Sequence, residues 1–148
     1  MFFGSHVHVL DDKGRTSLPK EFRDTLQGLK GQAWITAYPR WLAILPPAAF
    51  RDWQRRLTGD GVRLDDAAQR IRRLILGMAA PCAIDRQGRI LIPTPLREHA
   101  GIERELVFVG VGDEVEVWDR SRYRAEIVEA GAHYGEDSRE VLSRARDE

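Results

Sequence analysis

The chain has 148 residues, of which 43% are hydrophobic and 31% charged, with a formal net charge of zero and one cysteine. That length buries the core of one domain or of two small halves sharing one, and the composition excludes collagen-like, wholly disordered and disulfide-scaffold classes. No apolar run approaches the roughly 20 residues of a membrane span. The start, "MFFGSHVHVLDDKGR", lacks a basic n-region, a long apolar stretch and a small-residue cleavage site, so no signal peptide is expected and cytoplasm is the default.

The neutral total hides an asymmetry. Residues 1–80 carry 13 Lys and Arg against 8 Asp and Glu, and residues 81–148 carry 10 against 15. A local electropositive surface is therefore expected on a neutral protein.

In chain order, "VHVL" and "TSLP" are short β-prone runs flanking "DDKGR" at 11–15, which places that phrase in a tight loop of a hairpin. Gly14 supplies the positive φ and Asp11 caps the turn by accepting backbone N–H groups. Pro19 ends the returning strand and "KEFRDTL" follows as a short helix. Two further strands, "AWITAY" and "WLAIL", meet at a tight turn over "PR". Phe50, Trp53 and Leu57 then recur at helical spacing, and Leu64, Ala67, Ala68, Ile71, Leu74, Ile75 and Met78 form an apolar stripe, with Arg70, Arg72 and Arg73 largely off it.

The second half repeats the first. "DRQGR" at 85–89 is followed by "ILIP", a helix in "TPLREHAG" with Thr94 as expected N-cap, Pro95 as first helical residue and Gly101 as stop, and the strands "ELVFVGV" and "EVEVW" joined at "GD". At an offset of 74, Leu10 aligns with Ile84, Asp11 with Asp85, Gly14 with Gly88, Arg15 with Arg89, Leu18 with Ile92, Pro19 with Pro93 and Arg23 with Arg97. At an offset of 73, Leu42 aligns with Val115, Ile44 with Val117, Leu45 with Trp118 and Phe50 with Tyr123. The chain thus divides into a first β-α-β-β unit (1–57), a linking helix (58–78), a second unit (79–130) and a polar tail (131–148) that frays or forms a peripheral helix. The fold class is α+β.

Two tandem Asp-x-x-Gly-Arg phrases, a proline after each following strand, the "MFFG" start and "RRLILGMAAPCAIDRQGRILIP" through the middle resemble the MraZ family of bacteria, within the SpoVT/AbrB-like group. The resemblance covers essentially residues 1–130. It implies a swapped-hairpin β-barrel made from two AbrB-like units in one chain, with linking and terminal helices. It further implies a DNA-binding, nucleoid-associated transcriptional regulator that binds short direct repeats in double-stranded DNA upstream of its own division and cell-wall gene cluster, as a ring-shaped homo-oligomer.

The residues agree on the chemistry. An arginine at the base of a tight loop, with a cation near the tip, reaches phosphates and base edges, and Arg is the commonest reader of guanine. The DNA-contact candidates are Lys13 and Arg15 in the first phrase and Arg86 and Arg89 in the second; Asp11, Gly14, Asp85 and Gly88 are the structural turn residues. Gln87 stands where the first unit has Lys13 and the second half is acidic, so the first phrase is expected to be the main reader. The bland alternative keeps both phrases as turns, each Arg paired to its Asp. The arginines around 70–73 are then a solvated face or a subunit contact, and Trp34, Trp41, Trp53 and Trp118 are core or interface aromatics.

No catalytic residue, cofactor or metal is expected. Cys82, between Pro81 and Ala83, reads as a small buried hydrophobe and not as a nucleophile served by His6, His8, His99 or His133. The His6-x-His8 pair lacks a third ligand, and no Gly-rich phosphate loop is present. The competing function is an antitoxin-like protein-interaction or scaffold module in which DNA contact is secondary.

Overall fold

A computed structural model of the chain describes residues 1–146. It is a mixed α+β protein in which strands β1 (Phe2–Val9) and β2 (Arg15–Ser17) precede helix α1 (Lys20–Gln27), then β3 (Trp34–Ala37), β4 (Leu42–Leu45), α2 (Pro47–Leu57) and α3 (Asp66–Ile75). The second half runs β5 (Ala80–Pro81), β6 (Arg89–Leu91), α4 (Thr94–Ala100), β7 (Glu105–Gly112), β8 (Val115–Asp119), α5 (Arg120–Ala132) and α6 (Tyr134–Arg146).

The expected β3–β4 and β7–β8 hairpins form, with Trp34 opposite Leu45 and Leu106 opposite Asp119. The strands flanking each Asp-x-x-Gly-Arg loop behave differently from the hairpin expectation. β1 does not pair with β2; it lies antiparallel to β7, and β2 lies antiparallel to β6. Only a single turn closes each loop, through the Asp11 N–H on the Arg15 carbonyl at 2.8 Å and the Asp85 N–H on the Arg89 carbonyl at 2.9 Å. Beyond that turn each strand finds its ladder in the other half of the chain.

The result is a six-stranded antiparallel sheet in the order β1-β7-β8-β4-β3-β5 and a two-stranded ribbon of β2 and β6. Exchanging each strand for its repeat partner, β1 for β5, β3 for β7 and β4 for β8, reads the same order backwards. A pseudo-twofold axis therefore passes between the equivalent residues Thr16 and Ile90, which pair across the ribbon, and between Ala43 and Glu116, which pair across β4 and β8. β1 and β5 are the two edges of the larger sheet, so it does not close on itself through the pairs formed among the described residues.

One main core fills the space between sheet, ribbon and helices α1 and α4. Leu18, Phe22, Ile90, Ile92, Leu96, Leu106 and Phe108 lie in it together with Cys82, each large side chain contributing about 1.5–3 kcal/mol on burial. The four tryptophans divide between two smaller clusters. Trp34 stacks on Phe50 at 4.7 Å, and Trp41 stacks on Trp118 at 4.7 Å beside Tyr123.

Helix boundaries follow local chemistry. Pro93 occupies the N-cap of α4, one residue before the expected Thr94, whose hydroxyl instead accepts from Arg97 Nη2 at 2.7 Å. Gly101 stops the helix in the left-handed region, at φ 67°. α3 is capped by Asp65, whose side chain accepts the Ala68 N–H, and ends at Ile75, so Leu64 and Met78 of the expected stripe lie outside the helix. Its last turn is anchored by Thr36 Oγ1, which donates to the Ile75 carbonyl at 2.6 Å and satisfies a group that helix ends leave open. The tail is helical as α6 through Arg146. Among the described residues no helix is long and apolar enough to cross a membrane.

Candidate nucleic-acid interface

The β2–β6 ribbon is three residues long on each side, with Arg15 opposite Leu91, Thr16 opposite Ile90 and Ser17 opposite Arg89. Residues directly opposite share a face and neighbours alternate. Thr16 and Ile90 are 2% and 1% exposed and point into the core. Arg15, Ser17, Arg89 and Leu91 therefore share the outer face. The two arginines stand on a diagonal of the ladder, a separation of about 7–8 Å, and each ribbon strand is entered from one of the Asp-x-x-Gly-Arg loops.

Each loop is built alike. Asp11 Oδ1 accepts the N–H of Lys13 at 2.9 Å and of Arg15 at 2.8 Å; Asp85 Oδ1 accepts those of Gln87 at 2.8 Å and Arg89 at 2.9 Å. Gly14 and Gly88, at φ 84° and 77°, turn the chain back through conformations that disfavour any Cβ. The Arg15 N–H holds the Asp11 carboxyl below its usual range, with smaller help from the Lys13 N–H and then the charges of Arg15 and Arg89. Asp85 is lowered first by the Arg89 N–H and then by the Arg89 side chain.

That last contact separates the two halves. Arg89 Nε donates to Asp85 Oδ2 at 3.0 Å, so its guanidinium is tied across its own loop. Among the described residues the Arg15 side chain has no such carboxylate or hydrogen-bond acceptor; Asp11 receives backbone groups alone. Lys13 and Arg86 are exposed near the loop tips.

Two residues that are equivalent in the repeat, but carry no role in the motif itself, complete the arrangement. Arg23 of α1 lies over Gly88, and Arg97 of α4 lies over Gly14. Their signal in the sequence is an arginine at the same place in both units.

The other chemistry-bearing groups are occupied elsewhere. His6 and His8 meet the rings of Phe22 and Phe108 edge-on, and His8 also contacts Ser17. His99 contacts the Tyr38 carbonyl. Cys82 is buried, and burial pushes its thiol up to about 12. Among the described residues no three His, Cys, Asp or Glu side chains converge as metal ligands. Arg70 and Arg73 of α3 face solvent, Arg73 with a long contact to Gln69, while Arg72 is half-buried; Arg72 and Arg73 occupy the last turn, where the helix dipole favours cations.

Comparison with known proteins places the chain in a family. The family model described as "MraZ protein, putative antitoxin-like" matches residues 75–142. The chain is 41% identical to the transcriptional regulator MraZ of Frankia alni over 142 residues, covering 96% of this chain and 97% of that protein. It is 35% identical to the transcriptional regulator MraZ of Lachnoclostridium phytofermentans, covering 84% and 86%, and 34% identical to that of an Anaeromyxobacter species, covering 87% and 90%. With such identity sustained along nearly its whole length, the chain belongs to the MraZ family, whose relatives bear the name transcriptional regulator.

Proposed function

We propose that the protein is a sequence-specific DNA-binding transcriptional regulator that reads duplex DNA with the β2–β6 ribbon and its two loops. The observation that carries this is the outer face of the ribbon, where Arg15 is free to engage a base edge and Arg89 is held in reserve by Asp85. The DNA major groove admits a two-stranded ribbon, and a bidentate Arg on guanine contributes about 1–3 kcal/mol of discrimination. Lys13 and Arg86 at the loop tips then meet phosphates, which position the ribbon without reading sequence.

The targets are short direct repeats upstream of the protein's own division and cell-wall gene cluster, and the protein acts in the cytoplasm at the nucleoid. The reader is one per chain, so firm binding follows from a ring of copies presenting several ribbons to tandem repeats at high effective concentration. Exposed apolar side chains on edge strand β1 support such an assembly: Phe3 is 67% exposed, Val7 50% and Val9 53%. Two units, residues 1–57 and 79–130, interleave in this reading as a swapped-hairpin AbrB-like barrel, which the palindromic strand order supports.

A second reading, an antitoxin-like module that holds another protein, draws on the apolar groove between β1 and α5 lined by Val7, Val107, Tyr123, Ile127 and Val128. Fluorescence anisotropy of wild type and Arg15→Ala on DNA from upstream of the gene and on random duplex, across salt concentrations, separates the two. The regulator prefers its upstream DNA with a salt slope of several phosphates, and Arg15→Ala loses that preference by about 1–3 kcal/mol. Equal, weak binding of both duplexes by both proteins refutes the reading and favours the protein partner.

A further inference from the structure

Each reading loop is covered by an arginine from the opposite half of the chain. A Cβ added at Gly14 would lie 3.1 Å from Arg97 Cζ and 3.2 Å from its Nε, so the guanidinium rests on the glycine backbone. At Gly88 the Arg23 side chain takes the same place, with Cδ at 3.1 Å and Cζ at 3.2 Å from the Cβ position. Both glycines are buried. The same two glycines accept a backbone bond from the opposite half: Ile92 N–H reaches the Gly14 carbonyl at 2.8 Å, and Leu18 N–H reaches the Gly88 carbonyl at 3.0 Å.

The two arginines are not equally engaged. Arg97 Nη2 is fixed on Thr94 Oγ1 at 2.7 Å, while its buried Nε has no hydrogen-bond partner. Its plane is oriented by a helix-start hydroxyl and pressed on Gly14. The carboxylate near Arg23 is that of its neighbour Asp24, at 4.0 Å.

We propose that Arg97 and Arg23 are crosswise positioning residues: Arg97, in the second half, sets the loop that carries Lys13 and Arg15, and Arg23, in the first half, sets the loop that carries Arg86 and Arg89. This rests on the DNA-reading proposal for its functional consequence and on the geometry alone for its structural one. The latch works by shape. A planar guanidinium covers the glycine and excludes water from the turn, and a lysine carries the charge without the plane. The main reader in residues 11–15 thus depends on a residue more than 80 positions away.

The test uses the full chain in two arms. Without DNA, amide hydrogen exchange is measured for wild type, Arg97→Ala, Arg97→Lys and Arg23→Ala. Arg97→Ala and Arg97→Lys speed exchange in residues 11–15 and leave 85–89 as in wild type, and Arg23→Ala does the reverse. With DNA, Arg97→Lys loses preference for the upstream duplex by roughly tenfold, the size of one lost orienting contact, while its salt slope is unchanged. Exchange that rises in the variant's own half, or in neither loop, overturns the latch. So does full rescue of the preference by Arg97→Lys, which makes Arg97 a phosphate contact. A wild type without any preference for upstream DNA, with exchange still crosswise, refutes the DNA reading and upholds the latch.

Discussion

Replacing Asp85 by asparagine separates the turn from the ion pair. In Asp85→Asn the side-chain amide retains an Oδ1 that accepts the Gln87 and Arg89 N–H groups, so the loop keeps its cap. It loses the anionic Oδ2 that holds Arg89 Nε at 3.0 Å. The two side chains are 39% and 38% exposed, so solvent screens the pair and the tie is weak. A guanidinium that must first leave its carboxylate binds DNA more weakly, and its release strengthens binding by up to roughly fivefold. Removing any negative charge near DNA also helps, so Asp11→Asn is the control: it removes the same charge from the equivalent place and releases no side chain, because Arg15 is not tied to Asp11. Anisotropy titrations on upstream DNA at one salt concentration give the comparison, with melting temperatures to show that both turns survive. Asp85→Asn exceeds Asp11→Asn in affinity if the tie on Arg89 is what makes the halves unequal. Equal gains from both variants refute that reasoning.

Two further outcomes follow from burial and charge. Asp11, Asp85 and Glu105 have carboxyls lowered by backbone N–H groups or by Arg120, so their contribution is present above the unfolded carboxylate range and is lost as pH falls through the lower folded values. Melting temperature therefore falls as pH drops below about 4, and a flat profile from about pH 5 down to about pH 3 contradicts it. Cys82, with its thiol raised to about 12 by burial, stays unreactive toward a thiol reagent at about pH 8 until the chain unfolds; rapid native labelling contradicts the placement of this residue in the core.

The tight turns, the short helix after each proline and the β3–β4 and β7–β8 hairpins were legible because local residues decide them: glycine at positive φ, aspartate on backbone N–H groups, proline at a helix entrance. The pairings between the halves, β1 with β7, β2 with β6, β3 with β5 and β4 with β8, were not legible, and the reason lies in the repeat. β1 and β5 have equivalent positions, as do β3 and β7, so a pattern of apolar residues fits pairing within a half as well as pairing across halves. The path of the whole chain chooses, and it chooses across. Arg23 and Arg97 share this limit. Their equivalence is visible in the alignment, but the glycine each covers belongs to the other half and is fixed only by that crossing.

The interleaved backbone is nearly twofold, and the charges on it are not. A reader with true twofold symmetry matches a palindromic site, since each half meets the same bases in opposite orientation. Here the equivalent arginines differ in availability, Arg15 free and Arg89 tied, and Lys13 faces Gln87 in the aligned position. The ribbon therefore has a direction despite its symmetric frame. A directional reader copied around a ring meets the same sequence in the same orientation each time. That is the arrangement of direct repeats, so the proposed target rests on how the pseudo-symmetry is broken as much as on the cations proposed to read it.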